Sequence, residues 1–266
     1  MIPNVLTIAA VDPSGGAGIA ADLKAFSALG AYGMCVVTAL TAQNTRGVFG
    51  VETVAPGFIA AQIDAVFADV RVDAVKIGMI ATAEIADAVA AALLRHDARH
   101  VVLDPVMVAK SGDRLLATDA VKALRERLVP LAEVITPNLP EAAVLLGTPE
   151  PDSLSAMQDA ARALHKLGPG SVLLKGGHLA GAQSTDVYCD GETLAELSAP
   201  RIATRNTHGT GCTLSSAIAA LLPRMDRLAA IRAAKDYLTG ALRAADELTV
   251  GSGHGPVHHF HNLWRD

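Results

Sequence analysis

The sequence predicts an α/β fold, a doubly wound and mostly parallel central sheet flanked by helices on both faces. Short apolar runs alternate with amphipathic segments along the chain, and polar or glycine-rich residues follow most of those runs. The chain is also apolar enough for a large core, with 51% hydrophobic residues among 266 and only 3% aromatic. Short strands between helical segments argue for crossover units and a parallel sheet. Abundant alanine favours helices that pack closely on it. With no repeat and no linker, residues 1–266 are expected to form one domain.

Taken in order, residues 5–10 form an apolar run, and Asp12-Pro13-Ser14-Gly15-Gly16-Ala17-Gly18 is a turn. Residues 19–29 carry helical spacing, 34–40 read as a buried strand, and 56–69 as a helix opened by a proline. Residues 74–77 are strand-like, 82–96 helical, 101–103 strand-like and 119–128 helical. The same alternation continues with a strand at 134–136, a helix at 155–167 and a strand at 171–174. Runs at 185–189 and 193–197 flank Asp190-Gly191, a hairpin signal that predicts an antiparallel edge. The stretch 209–248 reads as helical.

Composition narrows the function. Twenty-two basic and 27 acidic residues leave a net charge of −5 without a basic stripe, which argues against nucleic acid as a partner. No apolar run of about 18 residues exists, so no membrane span is expected. Met1-Ile2-Pro3-Asn4 lacks the features of an export signal. Cys35, Cys189 and Cys212 are odd in number and form no CxxC, which fits reduced thiols and a cytoplasmic location.

In a doubly wound sheet, ligands bind at the carboxyl ends of the strands. Those ends carry Asp12, Gln43-Asn44, Gly78-Met79, Asp104-Pro105, Asn138 and Lys175-Gly176-Gly177-His178. Gly16-x-Gly18-x-x-Ala21 has the outline of a dinucleotide fingerprint. The acidic residue expected about 20 positions on is replaced by Thr41-Ala42-Gln43, and a P-loop sequence is absent. The glycines then serve either a tight strand-to-helix turn or close approach of backbone to a ligand. Thr207-His208-Gly209-Thr210-Gly211-Cys212-Thr213 precedes an apolar helix. Its amides and the helix dipole would suit an anion such as a phosphoryl group in transfer, although an ordinary capped helix has the same outline.

At this point the sequence resembles the hydroxymethylpyrimidine/phosphomethylpyrimidine kinases of thiamine biosynthesis, a branch of the ribokinase-like kinases. His208-Gly209-Thr210-Gly211-Cys212 stands where most ribokinase-like chains place Gly-x-Gly-Asp. Asp12-Pro13-Ser14-Gly15-Gly16, Lys76-Ile77-Gly78-Met79, Asp104-Pro105-Val106-Met107, Lys110-Ser111-Gly112, Asn138-Leu139-Pro140-Glu141 and Gly255-Pro256-Val257-His258-His259 also resemble that family. The resemblance implies an ATP- and Mg²⁺-dependent phosphotransferase acting on a small pyrimidine, and a homodimer. It implies Cys212 as base, with Gly209, Thr210 and Gly211 in the anion hole. Asp22, Gln43, Met79 and Gly15 would face the pyrimidine, and Asn138, Lys175 and Thr207 the nucleotide. Asp104 and Glu141 would serve the metal, because Mg²⁺ prefers oxygen ligands and keeps several waters. Gln43 has fitting chemistry, since one amide offers a donor and an acceptor together. Read alone, Glu141 is a helix-start acid, Lys175 a solvated lysine and Met79 a core residue. His258, His259 and His261 lack a partner set for a metal and are expected at a surface or interface. Two rivals stand beside this reading. A pyridoxal or pyridoxine kinase is one, though residues 108–112 lack the lid cysteine expected of it. A non-catalytic pyrimidine-binding regulator is the other.

Overall fold

Six short apolar runs become the parallel centre of a nine-stranded sheet, and antiparallel strands close both edges. The computed structural model describes residues 1–107, 118–177, 179 and 181–264. Strand β1 (Asn4–Val11) leads through the glycine turn into α1 (Gly18–Ala28). Strand β2 (Tyr32–Asn44) then pairs with β1, and β3 (Gly47–Thr53) folds back along it as an antiparallel edge. Helix α2 (Pro56–Asp69) crosses to β4 (Ala74–Ile77), and α3 (Ala83–Arg95) to β5 (Val101–Leu103). Helix α4 (Thr118–Ala123) precedes β6 (Val134–Ile135). Helices α5 (Leu139–Leu146) and α6 (Leu154–His165) lead to β7 (Val172–Leu174). The hairpin β8 (Gln183–Cys189) and β9 (Leu194–Pro200) completes the order β3-β2-β1-β4-β5-β6-β7-β8-β9. Helices α7 (Thr210–Leu221) and α8 (Arg227–Arg243) end the chain's regular structure. Among the described residues, no helix is long and apolar enough to cross a membrane.

Two cores follow from double winding. Helices α2 to α6 cover one face with Ile59, Ile63, Ile85, Ala120, Leu145 and Leu164; α1, α7 and α8 cover the other with Phe26, Leu214, Ile218 and Ile231. Strands buried on both faces read as continuous apolar runs, which is why the central ones were legible. Helix starts are fixed by side chains that satisfy orphan amides: Thr82 for α3, Ser153 for α6 and Asp226 for α8. At α5, Asn138 and Glu141 cap each other reciprocally.

The differences from the sequence reading have physical causes. Strand β3 has no run in the sequence reading because most of it is exposed on both faces, so no apolar period marks it. Strand β2 extends to Asn44, which puts Gln43 on the strand itself. The helical stretch at 209–248 is two helices, parted at a short 3₁₀ turn containing Pro223, which cannot donate to a helix ladder. Beyond Ala123, the helix of 119–128 widens into a π turn over Leu124–Leu128.

One buried ion pair ties four elements together. Lys76 on β4 bonds both oxygens of Asp22 on α1 at 2.9 Å, and neither side chain is exposed. Thr7 of β1 donates to Asp22 at 2.6 Å, and so does Ser216 of α7. Burial opposes the lysine's charge, but Asp22 outweighs it and holds the ammonium well above its ordinary pKa. Removing one partner leaves the other charged and unpaired. Lys76→Met should therefore lose about 3–5 kcal/mol of stability in urea denaturation. A loss below ~1 kcal/mol would show that Thr7 and Ser216 alone satisfy the carboxylate.

Candidate active site

The carboxyl ends of β1, β4, β5, β6 and β7 open onto one cleft of about 650 Å³, and the N-terminus of α7 points into it. Gly209 caps α7 with φ 76°, and a side chain there would run into the Gly16 carbonyl, 1.9 Å from an ideal Cβ. Glycine is required by both conformation and space. The first-turn amides of a helix have no acceptor within it; that of Thr210 makes a long bond of 3.4 Å to the Thr207 carbonyl, and Thr210, Gly211 and Cys212 all line the cleft. Added to the helix dipole, they favour negative charge there.

A cation and two carboxylates stand beside this helix end. Lys175, just after β7, donates to Asp104 Oδ1 at 3.0 Å and lies 3.9 Å from Glu141 Oε2. Asp104 also accepts from Thr136 at 3.1 Å. Glu141 Oε2 accepts from the Asn138 amide at 2.8 Å, and Asn138 Oδ1 accepts from the Glu141 amide at 2.8 Å. Burial raises the Glu141 carboxyl to about 7; Lys175 opposes the rise and the charge of Asp104 reinforces it. Burial likewise works against the ammonium of Lys175, but Asp104 and Glu141 hold its pKa above the ordinary value. With both carboxyls ionised the cluster carries one more negative charge than Lys175 balances, and its oxygens suit a hard cation. Two carboxylates are what Mg²⁺ requires of a protein when phosphates and waters complete its shell. Among the described residues, no larger group of His, Cys, Asp and Glu is arranged for a metal.

The other end of the cleft is polar in a different way. His208 Nε2 lies 2.7 Å from Asp12 Oδ2, and Asp12 also accepts from Ser14 and from the Ala17 amide. Burial would raise the Asp12 carboxyl, but the bonds from His208 and Ser14 outweigh it and hold it low. The His208 ring packs over Gly16, whose ideal Cβ would sit 2.3 Å from Cδ2. The side-chain amide of Gln43 lies between His208 Nε2 at 3.5 Å and Thr41 Oγ1 at 3.2 Å. Met79 lines the same wall and is nearly buried.

Cys212 sits between the two ends, above Lys76. Burial pushes its thiol up to about 11; Lys76 pulls it down, while Asp22 and Asp104 push it further up. Of these influences burial is the largest, and it outweighs the pull of Lys76.

The structure gathers Gln43, Met79, Asp104, Asn138, Glu141, Lys175, Thr207 and Gly209 to Cys212 around one cleft. Two residues require correction. Asp22 is fully buried and saturated by Lys76, Thr7 and Ser216, so its place is beneath the cleft and not on its wall. Gly15 turns its carbonyl to Lys24 Nζ at 2.7 Å and is a turn residue away from the cleft lining. The tail histidines differ too. His258 and His259 are buried, because Tyr237 donates to the His259 carbonyl at 2.7 Å and Thr213 meets its ring at 3.0 Å. Burial among Lys24, His258 and His261 pushes His259 down to about 3, so it is neutral. Residues 108–112 and His178 lie outside the described residues. Sequence reasoning placed Lys76, Asp12 and His208 in motifs but gave none of them a role, and it missed their pairings. Asp12 and His208 are 196 positions apart, and nothing local marks a partnership of that span.

A model of the family described as phosphomethylpyrimidine kinase matches residues 12–258. The hydroxymethylpyrimidine/phosphomethylpyrimidine kinase of Escherichia coli (strain K12) is 57% identical over 262 residues, 98% of either chain. Among solved structures, an ADP complex of Bacillus subtilis pyridoxal kinase superposes with a TM-score of 0.91 at 38% identity, covering 99% of this chain and 100% of that one. The phosphomethylpyrimidine kinase of Clostridium difficile 630 does so with a TM-score of 0.81 at 42% identity, covering 90% and 99%.

The thiol of Cys212 offers a direct check on the site's electrostatics. Its thiolate should be scarce at neutral pH and grow as pH rises towards about 11. Alkylation by iodoacetamide, followed peptide by peptide in the folded protein, should therefore keep accelerating at Cys212 above about pH 9, the range where an ordinary thiol levels off. A plateau below about pH 8 would mean that the helix end and Lys76 dominate instead.

Proposed function

The chain belongs to the phosphomethylpyrimidine kinase family, and from that premise we propose that it moves the γ-phosphoryl group of ATP to the hydroxymethyl oxygen of 4-amino-5-hydroxymethyl-2-methylpyrimidine. The same site then phosphorylates the monophosphate to the diphosphate, in thiamine biosynthesis. One observation carries the reading. A single cleft holds a donor–acceptor amide at Gln43 and, facing it, a helix end with Lys175 beside it. The first reads a flat heterocycle with an amino group, and the second receives phosphates. The ADP complex of a structural relative supports ATP as the donor.

Phosphoryl transfer passes through a loose transition state, and its catalysis is mostly positioning and charge neutralisation. In each transfer a bond forms between the acceptor oxygen and the γ-phosphorus while the bond to ADP breaks. The amides of Gly209 to Cys212 would accept the charge on the equatorial oxygens, with Lys175 as a point charge beside them. Asn138 and Thr207 would line the nucleotide's side. Asp104 and Glu141 are the residues that would hold Mg²⁺, which supplies charge neutralisation between the phosphates when bound. Cys212 would take the hydroxyl proton in the first transfer as its thiolate, a minor form with the thiol held up to about 11, and the proton leaves late, once the oxygen has begun to bond phosphorus. Homodimerisation and a cytoplasmic location come with the family resemblance and belong to the same proposal.

The pyridoxal kinase reading draws on the similarity to the Bacillus subtilis enzyme. The higher identity to the Escherichia coli enzyme favours the pyrimidine. A regulator without catalysis fits poorly with Lys175, Asp104 and Glu141 gathered at an open helix end.

A substrate panel with ATP, resolved by mass spectrometry, should give the pyrimidine monophosphate and then the diphosphate. Only monophosphate after exhaustive ATP would remove the second step, and faster turnover of pyridoxal would favour the rival. Glu141→Gln removes one charge from the cation's site. It should shift the Mg²⁺ titration of turnover to higher concentration, by about tenfold, while pyrimidine binding stays within about twofold. An unmoved titration curve would leave Glu141 as the cap of α5 alone.

A further inference from the structure

We propose that Thr41 and the Asp12–His208 pair lock the side-chain amide of Gln43 in one orientation, nitrogen toward Thr41 and oxygen toward His208, and so fix the direction in which the cleft reads a heterocycle. This rests on the reading above that Gln43 meets the substrate ring.

The oxygen and nitrogen of an amide have nearly the same shape, and only the hydrogens around them tell them apart. At one end, His208 Nε2 stands 2.7 Å from Asp12 Oδ2. Two lone pairs cannot face each other at that distance, so a proton lies between them. Ser14 Oγ and the amides of Ser14 and Ala17 all donate to Asp12, which suits a carboxylate and not a carboxylic acid. The proton therefore belongs to His208 Nε2, which is a donor. With its hydrogen directed at Asp12, Nε2 has no lone pair left, so an amide NH₂ facing it at 3.5 Å would find nothing to bond and would set donor against donor; the oxygen of Gln43 is the atom that fits there.

The other end gives the same answer from different atoms. Thr41 has one hydroxyl hydrogen and two neighbours, the Val11 carbonyl at 2.9 Å and the Gln43 amide at 3.2 Å. A carbonyl can only accept, so the hydrogen goes to Val11. The hydroxyl then offers only lone pairs to Gln43, and the amide atom there has to be NH₂. With Oε1 toward Thr41 and Nε2 toward His208, as the atoms stand in the structure, a donor faces a donor at His208. At Thr41, two acceptors then compete for one hydrogen. Half a turn of the amide repairs both ends at once.

Thr41 and Gln43 are two residues apart on β2 and share the cleft-facing side of the strand. The locked amide offers the cleft one N–H and one carbonyl lone pair in a fixed order along β2. An aminopyrimidine edge, with an NH₂ donor beside a ring-nitrogen acceptor, fits that order in one direction only. Its 4-oxo counterpart, with a carbonyl beside a ring N–H, presents the reverse and meets like against like. A free glutamine could turn to suit either, so the lock acts by discrimination. Thr41 is a positioning residue here.

The test compares kcat/KM for the 4-amino and 4-oxo 5-hydroxymethylpyrimidines in wild type, Thr41→Val and Thr41→Ser, with thermal melts to establish folding. Wild type should prefer the amino compound. Thr41→Val should narrow that preference by about three- to tenfold, the worth of one neutral hydrogen bond, partly by gaining on the oxo compound. Thr41→Ser keeps the hydroxyl and should keep the preference. A Thr41→Val ratio equal to wild type, or an equal loss in Thr41→Ser, overturns the lock and leaves the substrate reading standing. Wild type inactive with the amino compound overturns both. The unmodified protein gives a second measurement that no folding failure can blur: ¹⁵N NMR of the histidines should show a proton on His208 Nε2, and a bare Nε2 overturns the proposal.

Discussion

The buried pair of Lys76 and Asp22 is the constraint on which the rest of this structure depends. A charged pair taken wholly out of water is tolerated only when its geometry is good and its remaining bonds are satisfied. Asp22 meets that condition by drawing Thr7, Lys76 and Ser216 to itself, so β1, α1, β4 and α7 converge on one carboxylate. Helix α7 is the element whose end faces the cleft, and its position over the sheet is set by this convergence. The pair also lies beneath Cys212, so the same lysine that fixes α7 bears on the thiol's ionisation. Structure and chemistry share one set of atoms there.

Charge in the cleft is arranged in two unlike regions. Lys175 stands between Asp104 and Glu141, and burial keeps the Glu141 carboxyl near neutrality in the absence of a further cation. In that region Lys175 suits phosphates and the two carboxylates suit a cation. The Asp12–His208–Gln43 region is different, a chain of polar contacts from the close Asp12–His208 pair to the amide of Gln43 and on to Thr41.

Glycine makes the closeness possible. Gly16 lets the His208 ring lie against the first turn, and Gly209 lets α7 begin against the Gly16 carbonyl. The segment after α8 then covers this junction, through the His208 amide bonded to the Gly255 carbonyl and His259 bonded to Thr213. The tail histidines are thus part of the packing around the helix end, which explains their burial.

Much of this was legible in the sequence because its signals are local. Apolar runs buried on both faces gave the central strands, and helical spacing placed helices such as 56–69 and 82–96 close to where they form. Glycine-rich ends showed where the cleft would lie, and Gln43, Glu141, Lys175 and Cys212 could be picked from short motifs. What remained hidden depends on contacts between distant positions. Asp22 and Lys76 are 54 residues apart, and Asp12 and His208 are 196. Neither a period nor a motif reports whether such side chains meet, so a buried structural aspartate read as a pocket residue. The exposed strand β3 left no apolar period, and the ionisation of Cys212 turned on how deeply the fold buries it. Local chemistry is written residue by residue, but burial and pairing are sums over the whole packed chain, and only the tertiary structure performs that sum.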